Sequence, residues 1–335
     1  MSVEVIASGV CTTVQDEGRY GFQQYGVIVG GAMDSVSMRL ANLLVGNQAE
    51  EAVLEMTLKG PSLLFHEDLL VAVCGGDFAP SVDGKKIARN RAVWVRKGST
   101  LQFSHVKEGC RAYLAVAGGW DVPVVMNSRS TNFRAGFGGH EGRILRENDR
   151  LRINRPGEFS RFLASRLARQ AGSSAVVQAG WYIPESVFPD LSDPVVRVMR
   201  GEQYGDFSEE SRRQFWDQPY YVSPQSDRMG YRLAGPKLSL SAPRELTSEA
   251  VTAGTIQVPP SGQPIILLAD RQTIGGYPKI GYVATVDLPL FAQLKPGDAL
   301  RFQEVSVGEA QRALYERERE LKQLQVAIQL TAGWR

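Results

Sequence analysis

Leu69-Leu-Val-Ala-Val-Cys-Gly-Gly76 is an unbroken apolar run that starts after Asp68 and ends on paired glycines. A run of this length between a charge and a Gly-Gly punctuation predicts a buried strand. Working outward, Ala92-Val-Trp-Val-Arg96 and Leu101-Gln-Phe103 read as strands joined by the Lys97-Gly98 turn. Arg111-Ala-Tyr-Leu-Ala-Val-Ala117 is another strand, stopping at Gly118-Gly119. A turn followed by Leu-x-Phe or Leu-x-Ile occurs three times: Lys97-Gly-Ser-Thr-Leu-Gln-Phe103, Glu147-Asn-Asp-Arg-Leu-Arg-Ile153 and Pro296-Gly-Asp-Ala-Leu-Arg-Phe302. Such turns are common in β-proteins; the repetition also suits two barrel-like halves. Both readings stand on these residues. The 34 glycines and 17 prolines in 335 residues add many tight turns. The fold class expected is mainly β with a few helices, in two β-rich domains.

Four helices are expected. Residues 34–45 open on Asp34 as N-cap, carry Val36, Leu40, Leu43 and Leu44 on one stripe, and stop at Gly46. Residues 159–169 place Phe159, Phe162, Leu163 and Leu167 on one side, and 208–216 are short and charged. From 306 to about 330, Ser306-Val-Gly-Glu309 is a capping box. Leu314, Leu321 and Ile328 follow seven apart, but Arg317 interrupts the stripe, so docking on a body is expected rather than a long coiled coil. The stretch 171–194 mixes Gly, Ser, Pro and isolated aromatics. The expected division is a domain over 1–170, a linker over 171–194, a domain over 195–305 and a C-terminal helix over 306–335.

Composition excludes several functions. Thirty-eight Lys and Arg against 36 Asp and Glu leave a formal charge of +2, without the basic excess of a nucleic-acid binder. Cys11, Cys74 and Cys110 are scattered and odd in number, which argues against a disulfide framework. His66, His105 and His140 are too far apart for a local zinc motif, so no intrinsic metal is expected. The first residues lack the apolar stretch of a signal peptide, and apolar runs are strand-length. A cytoplasmic protein with no membrane association is expected. Walker-type, dinucleotide-fingerprint and Gly-x-Ser-x-Gly motifs are absent, as is an attachment lysine of the Ala-Met-Lys-Met type, so biotin is not expected on this chain.

Chemistry must then come from scattered polar residues or from a partner chain. Gly30-Gly-Ala-Met-Asp34 opens a helix, where free amides suit an anion unless Asp34 caps them. Asn127-Ser-Arg-Ser-Thr-Asn132 places Arg129 and Asn132 among hydroxyls that suit a carboxylate or phosphate, or form a solvated loop. Ser223-Pro-Gln-Ser-Asp-Arg-Met-Gly-Tyr-Arg232 and Asp270-Arg-Gln-Thr-Ile-Gly-Gly-Tyr-Pro278 each set an Asp-Arg pair beside a glycine turn. Asp270 and Asp227 are candidate proton carriers, with Thr273 beside them as a catalytic candidate. Arg271 and Arg228 are candidate anion clamps. An Asp–Arg pair that only staples its loop is the alternative.

Thr12-Thr-Val-Gln-Asp-Glu-Gly-Arg19, Gly30-Gly-Ala-Met-Asp34, Ser128-Arg-Ser-Thr-Asn132, Ser226-Asp-Arg-Met-Gly-Tyr-Arg-Leu233, Gly254-Thr-Ile-Gln-Val-Pro259 and Asp270 to Pro278 together resemble the KipA family. This is also called the 5-oxoprolinase C-subunit family, a biotin-dependent carboxyltransferase subdomain family, and the chain looks close to a Bacillus-type KipA. The resemblance implies a carboxyltransferase-like N-terminal domain and a cyclophilin-like C-terminal β-barrel. It implies work with two partner proteins, one KipI-like and one of LamB/YcsF type, as an ATP-dependent lactam hydrolase active only in complex. ATP with Mg2+ would convert 5-oxoproline to L-glutamate. It also implies antagonism of KipI, an inhibitor of a sporulation kinase. A regulatory binding protein without catalysis and a carboxyltransferase module of a urea carboxylase-like system remain alternatives.

From the cysteine and histidine pattern, elemental analysis of the purified protein should find no stoichiometric zinc or iron. Replacing Cys11, Cys74 and Cys110 should leave activity of the assembled system intact; loss of activity in a folded triple variant would contradict this.

Overall fold

The computed structural model describes residues 1–334 and divides them into two compact units. The first comprises Met1–Arg19, Gly30–Phe188 and the chain from Glu320; the second comprises Tyr20–Val29 and Pro189–Arg319. Among the described residues there are five α-helices: α1 (Ser35–Val45), α2 (Glu158–Ala171), α3 (Glu209–Asp217), α4 (Leu288–Gln293) and α5 (Val307–Thr331).

The apolar run at residue 69 lies in the middle of the first unit. Strand Leu69–Asp77 is paired antiparallel with Ala92–Val95 on one side and Glu108–Val116 on the other. The full sheet runs Val176–Gln178, Ala92–Val95, Leu69–Asp77, Glu108–Val116, Val53–Thr57, Cys11–Gln15. Successive strand side chains point to opposite faces, and here both faces are covered. Leu69, Val71 and Val73 join a core shared with Val3, Val5, Leu63, Phe65 and Leu101 of a second six-stranded sheet. Leu70, Ala72 and Cys74 instead pack with residues of α1, α2 and the last turns of α5, among them Leu40, Leu163 and Leu321. Sheet, sheet and helices form three layers. Apolar burial at about 25 cal/mol per Å² explains why this strand carries no polar residue before Asp77.

Helix α1 begins as its sequence dictates. Asp34 Oδ1 accepts from the Ser37 amide at 2.9 Å and Oδ2 from the Ser37 hydroxyl at 2.6 Å. Its end needs glycine: Gly46 has φ +79°, and a Cβ there would come within 2.6 Å of Phe159 Cδ1.

The second unit contains a closed barrel of seven strands, ordered Val195–Arg200, Lys279–Val283, Thr255–Gln257, Ile265–Leu267, Gly230–Ala234, Tyr220–Val222, Ala299–Glu304. Val195–Arg200 closes against Ala299–Glu304 in parallel register. The Leu-Arg-Phe phrase buries Leu300 and Phe302 and exposes Arg301. Phe302 stacks on Phe215 of α3 with ring centroids 4.7 Å apart. The mainly-β expectation holds, as do four helices with the Asp34 and Ser306 caps; Ser208 also caps α3, accepting from the Ser211 amide. Helix α4 was not expected.

Domain limits differ from those read in the sequence. Residues 171–194 do not form a linker: Val176–Gln178 pairs with Ala92–Val95, and Ile183 and Val187 are buried in the helix-side core. Three apolar anchors among the Gly, Ser and Pro hold this stretch to the first unit, which runs to Phe188. The C-terminal helix is likewise no separate element, because Leu321, Ile328 and Ala332 pack into the first unit. Among the described residues no helix is long and apolar enough to cross a membrane.

Truncating Leu321 or Ile328 to Ala should each lower unfolding free energy by about 2–4 kcal/mol, the cost of a cavity in a packed core. Tyr315→Ala, at an exposed position of the same helix, should stay within about 0.5 kcal/mol. Urea titrations monitored by circular dichroism measure all three; equal effects would contradict the docking of α5.

Candidate functional site

Strands Gly230–Ala234 and Ile265–Leu267 are neighbours, with Gly230 opposite Leu267. The loop that enters one and the loop that leaves the other must therefore meet at one end of the barrel. The Asp270 amide donates to the Arg228 carbonyl at 2.9 Å, and the Leu268 amide to the Met229 carbonyl at 3.0 Å. The two Asp-Arg pairs cross over. Arg228 Nε and Nη2 donate to Asp270 Oδ2 and Oδ1, both at 2.9 Å, with the side chains 7% and 3% exposed. A buried, bidentate pair of this kind fixes geometry as much as it adds energy.

The crossing assigns different positions to the four residues. Asp227 is exposed and holds its own turn, Oδ1 accepting from the amides of Met229 at 2.8 Å and Gly230 at 3.2 Å. Asp270 and Arg228 occupy each other. Arg271 is held through Nη1, which donates to the Leu268 carbonyl at 3.2 Å, while its buried Nε has no hydrogen-bond partner among the described residues. Burial depresses the Arg271 pKa, with Tyr20 opposing the shift. An incompletely solvated guanidinium attracts an anion strongly, because the anion replaces the lost water. Thr273 is half-buried, and its carbonyl accepts from the Val251 amide at 3.0 Å.

The other three candidates lie in the first unit. Asp34 is fully buried and spent on capping α1; the adjoining amides are also filled, Met33 by Glu55 Oε2 and Asp34 by the Tyr113 hydroxyl, each at 2.8 Å. It sits as a cap, not at the edge of an open anion site. Asn132 Oδ1 accepts from the Ala135 amide at 3.1 Å inside its loop. Arg129 is partly open, with Nη1 3.6 Å from Glu51 Oε1 and a buried Nε lacking a hydrogen-bond partner among the described residues.

Two centres of this unit have roles that the sequence did not assign, although Asp16 and Arg19 stand within the Thr12–Arg19 motif. Asp16 organises the loop of Arg129: its Oδ1 accepts from the Ser128 hydroxyl at 2.7 Å, the Ser130 hydroxyl at 2.5 Å and the Gly18 amide at 2.8 Å. Its Oδ2 accepts from the Arg129 amide at 2.5 Å. Arg19 donates to the carbonyls of Val125 and Ser130 and lies over the Phe137 ring. Deeper in, Glu55 Oε2 accepts from the Tyr113 hydroxyl at 2.9 Å. Burial, reinforced by Glu55, pushes the Tyr113 phenol well above its usual pKa. Polar residues at Glu55 and Tyr113 within apolar strands were the available signal; their partners lie across the sheet on each other's strands and at the start of α1.

Residues 25–304 match the family described as carboxyltransferase domain, subdomain A and B. The chain belongs to that family. It is 38% identical over 322 residues to the 5-oxoprolinase C-subunit of Escherichia coli, covering 96% of this chain and 97% of the relative. The corresponding protein of Haemophilus influenzae is 36% identical, with 89% of each covered. The crystal structure of the K. lactis urea amidolyase superposes with a TM-score of 0.85 at 35% identity, covering 96% of this chain and 20% of that one. The family's architecture is thus found both in a chain of this length and inside a much longer one.

Asp270→Ala should cost about 3–5 kcal/mol of stability, since it leaves the Arg228 charge buried without its carboxylate. Replacing both, as Asp270→Leu with Arg228→Met, should cost less than the single change. A single variant as stable as wild type in urea would remove the pair from its structural role.

Proposed function

We propose that this chain is the C-subunit of an ATP-dependent 5-oxoprolinase, opening 5-oxoproline to L-glutamate together with a KipI-like partner and a LamB/YcsF-type partner. The observation that carries the reading is the end-to-end match to the Escherichia coli C-subunit, 96% of one chain against 97% of the other. The carboxyltransferase reading has less support, because a yeast urea amidolyase of 34% identity is covered over only 18% of its length.

A lactam is a weak electrophile. Transfer of the ATP γ-phosphoryl group to its carbonyl oxygen activates the carbon; one water adds there, the ring C–N bond breaks as the nitrogen takes up a proton, and a second water hydrolyses the resulting acyl phosphate to L-glutamate and phosphate. Phosphoryl transfer needs positioning and charge stabilisation more than a protein nucleophile, which suits a chain without nucleophile motifs. Arg271 is the residue of this chain best prepared to grip a substrate carboxylate or phosphate, with Arg129 the equivalent in the first unit. Asp270 and Arg228 hold the Arg271 loop in place. Mg2+ enters this reading bound to the nucleotide phosphates, where it needs at most one or two protein carboxylates. A regulatory role as KipI antagonist, as in a Bacillus-type KipA acting in sporulation, uses the same contact with the KipI-like partner.

The test is reconstitution. The three proteins mixed with 5-oxoproline and ATP should release phosphate and glutamate, and omission of this chain should abolish both. Arg271→Ala should lower turnover at least about 10-fold, in line with a lost charge-assisted hydrogen bond of about 1.5–3 kcal/mol, with melting temperature and co-elution with the KipI-like partner little changed. Full turnover without this chain overturns the enzymatic reading. Co-elution with the KipI-like partner in a mixture that releases no phosphate favours the regulatory one.

A further inference from the structure

The segment that begins at Asp270 ends on a second cation. Lys279 opens strand Lys279–Val283, and its side chain is 6% exposed. An ammonium buried this deeply needs a counter-charge, because desolvation costs several kcal/mol. Its Nζ finds one in Glu249 Oε2 at 2.7 Å, yet Glu249 is itself 59% exposed. The carboxylate comes from Glu249–Ala250, a two-residue strand paired with Ile274–Gly275 outside the barrel sheet.

The remaining walls belong to the barrel or pack tightly on it. Gln257 is the direct cross-strand partner of Lys279, so the two side chains share a face. The Gln257 amide lies under Gly275, where a Cβ would come within 2.5 Å of Nε2. Gln203 Oε1 accepts from the Lys279 amide at 3.1 Å. Glu202, which accepts from the Tyr282 hydroxyl, stands near the same ammonium. Burial opposes its ionisation, and the Tyr282 hydrogen bond and the Lys279 charge more than offset that.

A groove of about 640 Å³ is lined by residues that flank this constellation in the chain: Gly276, Tyr277 and Pro278, which lead into Lys279, and Val258, which follows Gln257. Leu246 and Phe207 add apolar wall, and Arg244 and Glu245 add charge to the same lining. The volume is that of a small-molecule site.

We propose that Lys279 is a receptor for the carboxylate of a small organic acid whose apolar body lies in this groove, and that Glu249 is the tethered occupant the ligand displaces. The cation is buried and built in; its counter-ion is exposed and delivered by a short element. That division distinguishes an exchangeable site from a surface ion pair, in which both partners are wet. The proposal is independent of the 5-oxoprolinase reading, and its test involves no turnover.

The experiment titrates the full chain with sodium hexanoate, with 1-hexanol and matched sodium chloride as controls, by calorimetry and by the amide resonances of Ile280 and Gly281. Glu249→Gln should bind hexanoate at least about tenfold more tightly than wild type, because removing self-occupancy raises the fraction of competent protein. Adding Lys279→Met should abolish binding. Hexanol should bind neither form, and Tyr277→Ala should erase the preference of Glu249→Gln for hexanoate over acetate. Should the Lys279 variant fail to fold, the Tyr277 comparison and a hexanoate-dependent rise in the melting temperature of Glu249→Gln decide. Equal affinity of Glu249→Gln and wild type, or undiminished binding in a folded Lys279 variant, overturns the proposal.

Discussion

The first unit depends on one constraint: the strand Leu69–Asp77 must be dry on both faces. A sheet strand with alternating polarity tolerates water on one side, but Leu69 through Cys74 do not. One face is met by the second sheet and the other by α1, α2 and the end of α5. The three-layer order follows from this, as does the burial of neighbouring polar groups. Once helices cover the sheet, Glu55 and Tyr113 on the helix side lose water. They are satisfied by each other and by the Met33 and Asp34 amides at the start of α1. The Cys74 thiol, in the same layer, has its pKa pushed well up by burial.

Local features were legible because their causes are local. The Asp34 and Ser306 caps, the Gly46 stop and the strand phrases around Leu101, Leu151 and Leu300 all depend on neighbours within a few residues. Helix α4 was invisible because six residues beginning Leu-Pro carry no periodicity. The limits of the units escaped for another reason: Val176, Ile183 and Val187 are three isolated apolar residues in a stretch of loop composition. Only the partner strand and core show that they are anchors.

The candidate site was legible as residues but not as bonds. Both Asp-Arg pairs stood out beside glycine turns, yet sequence could not show that Arg228 closes on Asp270, 42 positions away. That crossing decides which charges are engaged and which guanidinium retains an unsatisfied Nε. Asp16 stood inside the Thr12–Arg19 motif, but its partners Ser128, Arg129 and Ser130 lie more than a hundred positions downstream, so its role as a loop anchor was not legible. In both units a carboxylate holds a loop that carries an arginine with an unsatisfied Nε: Asp270 for Arg271 and Asp16 for Arg129.

The path of the chain carries a consequence for inheritance. It leaves the first unit after Arg19, returns at Gly30, leaves again after Phe188 and returns at Glu320. The last return brings Trp334 against Phe159 and Phe162, with ring centroids 5.8 and 5.3 Å away. Neither unit is therefore a continuous stretch of gene. A break near residue 188, where composition invites one, strips the first unit of the helix that covers Leu163, and leaves the second without Tyr20–Val29. Domain boundaries fall in linkers where few contacts cross, and no single cut of this chain separates the two units. The pair is inherited intact as a single block, and the longer urea amidolyase chain holds a counterpart to 96% of it within 20% of its own length.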